Sequence, residues 1–251
     1  MHVMLRFALR IYPHIFFTLN FFKPLNHIKY MKKQGQIFKN PFLEKLTKSS
    51  PSITVAFYLF LISLFFYLEI RFTRTGLSNI ALLYFGGLLS WTLIEYVMHR
   101  YVFHIDEYIP AFKRFHYIVH GIHHEHPKDH ERLFMPPVPG TIISFLMFCF
   151  WYLFFGLDAL GFMAGVTNGY LCYSYIHYSV HTNPSNPLFH KLWAHHAKHH
   201  YKYPDKAFGV SSPLWDMVFR TMPPAKDSRV KANAQNNEVR TTTIRQLTPN
   251  N

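Results

Sequence analysis

Residues 77–104 read LSNIALLYFGGLLSWTLIEYVMHRYVFH: a run with no charge until Glu95, closed by two histidines. A stretch of this kind meets the length needed to cross the hydrocarbon core as helix, about 20 residues. Its polar groups collect where the helix would leave the membrane. Three similar runs flank it: 52–70 (SITVAFYLFLISLFFYLEI), 141–157 (TIISFLMFCFWYLFFGL) and Phe162 to about Tyr178. The links between the first and second, and between the third and fourth (GLDALG), are too short to hold a domain, so each pair reads as a helical hairpin. The expected fold is an all-α integral membrane protein with about four transmembrane helices in two hairpins. Its long loops form a histidine-rich helical cap on the same side as both termini.

Composition agrees. Of 251 residues 49% are hydrophobic and 16% charged, against about 25% charged in soluble domains. The net charge of +13 does not indicate nucleic acid, because Lys and Arg gather at the chain ends and polar loops. Residues 1–50 hold nine Lys or Arg and one acid, Glu44. A basic flank before an apolar span marks the cytoplasmic side, although Arg71 and Arg74 in the first short turn oppose the rule. That side faces the cytosol at the endoplasmic reticulum of a eukaryote or the cytoplasmic membrane of a bacterium. Cys149 and Cys172 lie in apolar stretches without a C-x-x-C pattern, which argues against a disulfide framework or thiolate site.

The chain divides into a basic segment (1–50), a membrane unit (51–222) and a polar tail (223–251). In residues 1–30, Pro13 and His14 interrupt the apolar stretch and no small-residue cleavage site follows, which argues against a signal peptide. That segment is expected either to lie in the membrane interface as an amphipathic anchor or to precede a true start at Met31. From about Lys226 the sequence is Asn- and Thr-rich and is expected to be disordered.

Fifteen of the 18 histidines fall within residues 99–130 and 177–200. A pattern occurs twice there: His99 and His104 precede His120, His123 and His124, while His177 and His181 precede His196, His199 and His200. The gap from pair to triplet is 16 residues in the first and 15 in the second, a weak internal repeat. Positions i, i+3 and i+4 share a helix face, so each H-x-x-H-H is expected to present one ligand face. His99 and His104, five apart, require a frayed or bulged helix. Ten histidines supply four or five nitrogens to each of two metal ions, and imidazole suits iron, zinc, copper and nickel rather than magnesium or calcium. Glu95, Asp106, Asp129 and Asp216 are available as acceptors for the far ring nitrogens. His116, His126, His130, His190 and His195 fall outside the repeat and are expected at the surface or behind the ligands; His2, His14 and His27 read as incidental.

The motifs WTLIEYVMHRYVFH (91–104), HGIHHEHPKDHERLFMPP (120–137), YSYIHYSVH (173–181), HHAKHHY (195–201) and FGVSSPLWDMVF (208–219) resemble the membrane fatty acid hydroxylase and sterol desaturase superfamily. The match covers roughly residues 80–222. The histidine boxes reach only the superfamily; the P-x-D-x-x-R-L-x-x-P-P and FGVSSPLWD segments resemble its fatty acid 2-hydroxylase branch. Carried over by position, the family's dimetal ligands fall on the same ten histidines, and relatives often have a further histidine where this chain has Thr182. The resemblance implies insertion of one oxygen atom of O2 at carbon 2 of a long acyl chain, free or in ceramide. Iron is the expected working metal, with zinc as an ion that can be bound. Many relatives carry an HPGG haem motif that this sequence lacks, so the implied electron source is a separate cytochrome b5 or ferredoxin-type protein with its reductase. A sterol or carotenoid oxygenase of the superfamily is the alternative enzyme, and a non-catalytic metal-binding membrane protein the alternative of another class.

Overall fold

In the computed structural model, residues 35–224 are described; the anchor or start at Met31 and the tail from Lys226 lie outside them. Every regular element among the described residues is helical. Helix α1 (Pro41–Leu46) starts where Asn40 Oδ1 accepts from the backbone N–H of Phe42 at 2.9 Å. Helix α2 (Pro51–Phe72) starts with proline in its first turn and the Ser50 hydroxyl accepting from Ile53 N, both favourable at a helix N-terminus. Helix α3 (Leu77–Val97) continues into a π turn, Met98–Phe103. After it come α4 (Lys113–His116), a second π turn at Tyr117–Gly121, and α5 (Ile122–Glu125). Helix α6 (Pro137–Phe155) ends where Gly156 takes φ +58°, a left-handed conformation suited to glycine. Helices α7 (Ala159–Thr182), α8 (His190–Tyr201) and α9 (Leu214–Val218) follow among the described residues.

Three helical stretches are long and apolar enough to cross a membrane: Pro51–Phe72, Leu77–Phe103 and His130–Thr182. The third contains both α6 and α7, separated only by Gly156–Asp158. The four apolar runs are therefore all helical, but they are not equivalent. Helix α7 buries 15 residues and forms the core; α6 buries only Gly140 and leaves Leu153 79% and Phe154 66% exposed. An apolar helix with such a bare face suits a lipid surround.

Helices α3 and α7 touch backbone to backbone. A Cβ at Gly165 would stand 1.9 Å from the Tyr84 carbonyl oxygen, and one at Gly87 2.0 Å from that of Phe162. Small residues permit this approach between membrane helices. Because Gly87 meets Phe162 and Trp91 meets Gly169, the two helices run parallel. Their histidine-bearing C-terminal ends therefore emerge together. Helix α2 runs antiparallel to α7, with the Tyr58 and Tyr170 rings 4.6 Å apart at one end. At the other, the buried Glu69 carboxylate accepts from Gly161 N at 2.8 Å, and Thr75 Oγ1 donates to Asp158 at 2.6 Å.

Residues 35–48 form a strap over the histidine cap. Arg132 donates to the Gly35 carbonyl at 2.7 Å, to Thr47 Oγ1 and to the Glu44 carboxylate, while Arg114 donates to the Ile37 carbonyl at 3.0 Å. Burial pushes the Glu44 carboxyl up, but the Phe38 N–H, the Arg132 guanidinium and the Ile37 N–H outweigh it and hold the group below its ordinary value. A depressed carboxyl pKa stabilises the fold above its unfolded-state value, and that stability is lost as pH falls through the lower folded value. The RLFMPP segment thus has a structural duty in tying the strap down.

Replacing Gly165 with Leu is expected to separate α3 from α7 and lower stability by about 1–3 kcal/mol, read as a lower thermal midpoint in detergent. Arg132→Ala breaks a buried ion pair, a loss of about 3 kcal/mol; limited proteolysis within residues 35–48 should accelerate while residues 77–104 stay protected.

Candidate metal centre

All ten histidines of the repeated pattern come together, and they sort into two groups of five. His99, His104, His120, His124 and His199 form one; His123, His177, His181, His196 and His200 form the other, and within each group the candidate ligand atoms lie within 4.8 Å of one another. In the first, Nε2 of His99 is 3.1 Å from that of His120, His120 is 2.9 Å from His124, His124 is 3.1 Å from His199, and His199 is 3.2 Å from His104. In the second, His177 is 3.1 Å from His123, His123 is 3.1 Å from His200, His200 is 3.0 Å from His196, and His196 is 2.9 Å from His181, again between Nε2 atoms.

The π turn at Met98–Phe103 resolves the awkward five-residue spacing, because its i→i+5 bonding brings His99 and His104 to one side. The triplets, however, do not present one ligand face each. His120 and His124 serve one group while His123 serves the other; His196 and His200 stay together while His199 crosses over. The reason lies in helix geometry: i+3 and i+4 fall on opposite sides of i, about 100° apart. Each H-x-x-H-H therefore straddles the boundary between the groups. The exchange is reciprocal, each half of the chain lending its middle histidine to the other.

Burial disfavours protonation of these rings, and neighbouring imidazoles reinforce it. His104 is pushed down to about 4 by burial and then by His116, and His124 to about 3 by burial, His104 and His116. His120, His123, His196 and His199 are held well below the ordinary imidazole value, first by burial and then by the other rings. The rings are thus neutral, and a neutral ring whose Nδ1 carries the proton presents a lone pair at Nε2. His99 and His199 are fixed in that tautomer, donating from Nδ1 to the carbonyls of Phe208 and Lys206 respectively. The Nε2 lone pairs of these two rings point at neighbouring Nε2 atoms 3.1–3.2 Å away, a position from which they can accept a proton donor or bind a cation.

The spacing suits a transition metal. Nitrogens about 2.0–2.1 Å from a shared ion stand about 2.9–3.4 Å apart, from right-angled to tetrahedral arrangement, and the eight neighbouring Nε2 pairs above lie within that range.

The expected carboxylate acceptors for the far ring nitrogens take other roles. The two ring partners just named are backbone carbonyls of one loop, and the carboxylates position that loop. Glu95 accepts from Val210 N at 2.7 Å and Ser211 N at 2.8 Å. Asp216, fully buried, accepts from Phe208 N, Gly209 N, Thr221 Oγ1 and His195 Nε2 at 2.7–2.9 Å. Burial pushes the Asp216 carboxyl up, but those four donors hold it below its ordinary value. Asp106 faces His116 at 3.1 Å, and Asp129 faces Arg132 at 3.6 Å. A carboxylate is the obvious histidine partner by residue type; a backbone carbonyl leaves no mark in the sequence.

Among the histidines outside the pattern, His195 supports Asp216, and His116 donates to the Phe103 carbonyl. His126 lies 3.7 Å from Glu125, while His130 and His190 sit against the Tyr178 and Trp193 rings. Thr182 turns its hydroxyl back to the Tyr178 carbonyl at 2.8 Å, away from the groups. Phe208, also fully buried, packs edge-on against His99 and His104 and tilts against His199. In sequence, FGVSSPLWD stands out as a family marker and for Asp216; no residue type in it marks Phe208 or the carbonyls that meet the rings.

A family model described as fatty acid hydroxylase matches residues 84–221, and the chain belongs to that family. It is similar to the dihydroceramide fatty acyl 2-hydroxylase FAH1 of Arabidopsis thaliana, 40% identical over 148 residues, covering 57% of this chain and 61% of that protein. FAH2 of the same plant, also a dihydroceramide fatty acyl 2-hydroxylase, is 34% identical over 206 residues, covering 78% and 84%. A solved structure described as full-length scs7p with only the hydroxylase domain visible superposes with a TM-score of 0.68 at 32% identity, covering 76% of this chain and 72% of that one.

If the two groups are separate metal sites, His104→Ala and His181→Ala should each reduce tightly bound metal from two ions per chain to one, one variant for each group. Elemental analysis of purified protein checks this; two ions retained in either variant removes that histidine from the ligand set.

Proposed function

We propose that this protein is a dimetal monooxygenase that hydroxylates carbon 2 of long-chain fatty acyl groups, as free acid or as the acyl chain of a ceramide. The observation that carries the reading is the pair of enclosed five-histidine groups where α3 and α7 end, in a chain of the fatty acid hydroxylase family. The names of the relatives, acyl 2-hydroxylases, support carbon 2 as the position attacked. Residues 51–222 form the working unit, and all ten histidines are ligands.

Position in the membrane supports the same carbon. Carbon 2 adjoins the carboxyl or amide end of the acyl chain, which stays at the membrane surface. A centre at the ends of the apolar helices reaches that carbon more easily than mid-chain methylenes. The basic flank of residues 35–48 is consistent with a cytoplasmic orientation, where an electron-transfer protein of cytochrome b5 or ferredoxin type, with its reductase, can reach the centre.

Bound metal supplies O2 activation and cleavage of an unactivated C–H bond, which calls for redox-active iron, since zinc has no redox chemistry. The polypeptide does the rest. Its imidazoles stay neutral and aimed; the 206–211 loop holds two of them from behind; Phe208, buried against His99, His104 and His199, keeps water from the first group. Among the described residues no side chain beside the groups is arranged as a nucleophile, which fits chemistry carried by the metal and O2.

The test is expression in a host without 2-hydroxy lipids, with iron and a reductase present, followed by analysis of total acyl chains. (R)-2-hydroxy acyl chains are expected, and should vanish with His123→Ala or His199→Ala. Hydroxylation at another carbon, or none from metal-loaded protein, overturns the reading.

A further inference from the structure

The two histidine groups are alike in ligand type but not in what stands behind them. In the first, one loop reaches two rings: the Lys206 carbonyl accepts from His199 at 2.8 Å, and the Phe208 carbonyl accepts from His99. The residue between them, Ala207, is fully buried at φ +60°. That left-handed conformation is costly for a residue with a Cβ. It persists because the loop is held on both sides: Ala207 N donates to the Thr221 carbonyl at 2.9 Å, and Phe208 N and Gly209 N donate to Asp216. Asp216 is held in turn by His195 and Thr221. In the second group the Leu133 backbone stands behind His177, but Nδ1 of His196 and of His200 is buried with no hydrogen-bond partner among the described residues.

Acceptors behind a metal-bound imidazole fix its tautomer and orientation and raise its basicity, and losing one typically weakens metal binding about 10–100-fold. Resting on the reading of both groups as metal sites, we propose that the sites are unequal: His99, His104, His120, His124 and His199 hold their ion tightly, whereas His123, His177, His181, His196 and His200 hold an exchangeable one. Asp216 acts as a positioning residue that creates the difference through the 206–209 loop.

Zinc serves as the probe. Full-length protein in nanodiscs is loaded with zinc and exposed to a chromophoric chelator. Release is expected in two phases of equal amplitude, with rates differing about 10–100-fold. Protein stopped after the fast phase is treated with a histidine-modifying reagent and mapped by mass spectrometry. His177, His181, His196 and His200 should then react, while His99, His104, His120 and His124 stay protected. Asp216→Asn should accelerate the slow phase and leave the fast one unchanged.

A single phase releasing both ions, or reaction of the first group before the second, overturns the inequality in the unaltered protein, whether or not the variant folds. An unchanged slow phase in folded Asp216→Asn removes Asp216 from its role. Failure to bind zinc at all overturns instead the reading of the groups as metal sites.

Discussion

Ten neutral imidazoles facing one another nitrogen to nitrogen is the arrangement around which the rest of the molecule is organised. His99 and His199, whose Nδ1 atoms donate to carbonyls, turn Nε2 lone pairs toward neighbouring rings about 3 Å away, and the polypeptide holds all ten rings in that register. The rigid devices of the structure serve that end. Glycine contacts lock α3 against α7, so that two histidine-bearing helix ends leave the apolar layer side by side. The Glu69 carboxylate bonds the first turn of α7 at the far end, and the 206–211 loop presses on the rings from behind. Helix α7 is the common wall, buried along most of its length because α2, α3 and α6 all pack on it.

The duplication visible in the histidine spacing has a counterpart in the backbone. Two hairpins, α2 with α3 and α6 with α7, each end in a helix that carries a histidine pair. Those two helices run parallel and in contact through Gly87 and Gly165. The halves are not equal partners, however. Helix α3 meets the 206–221 segment through Thr92, Glu95, Tyr96 and His99, which bond to Trp215, to Val210 and Ser211, to Thr221 and to the Phe208 carbonyl respectively. These four residues follow the spacing of a single helix face.

Much of this was legible in the sequence, for physical reasons. Apolar runs announce helices because bilayer thickness sets their length, and the histidine spacing announces a gathered candidate metal centre because few other roles need so much imidazole at helical intervals. Residue type could not reveal the partition of the triplets. Whether His123 joins His120 or His177 depends on where the edge of the helix lies between two neighbours, a tertiary matter. Nor could it reveal that ring nitrogens would be met by carbonyls rather than by Glu95 or Asp216, because backbone geometry at Ala207 decides where those carbonyls point. The five-residue step from His99 to His104 was legible as an irregularity, and the π turn supplied its form.

The crossing of His123 and His199 bears on how such a protein is made. A ribosome delivers the chain from one end, and when His99 to His124 have emerged, the first group still lacks its last ligand. His199 arrives 75 residues after His124, behind a complete second hairpin. The second group in turn depends on a histidine synthesised long before its other four. Neither group of five can be complete until both hairpins and the segment through His199 and His200 have been made. Each group is therefore a product of the two hairpins coming together, and neither half of the chain can build one alone.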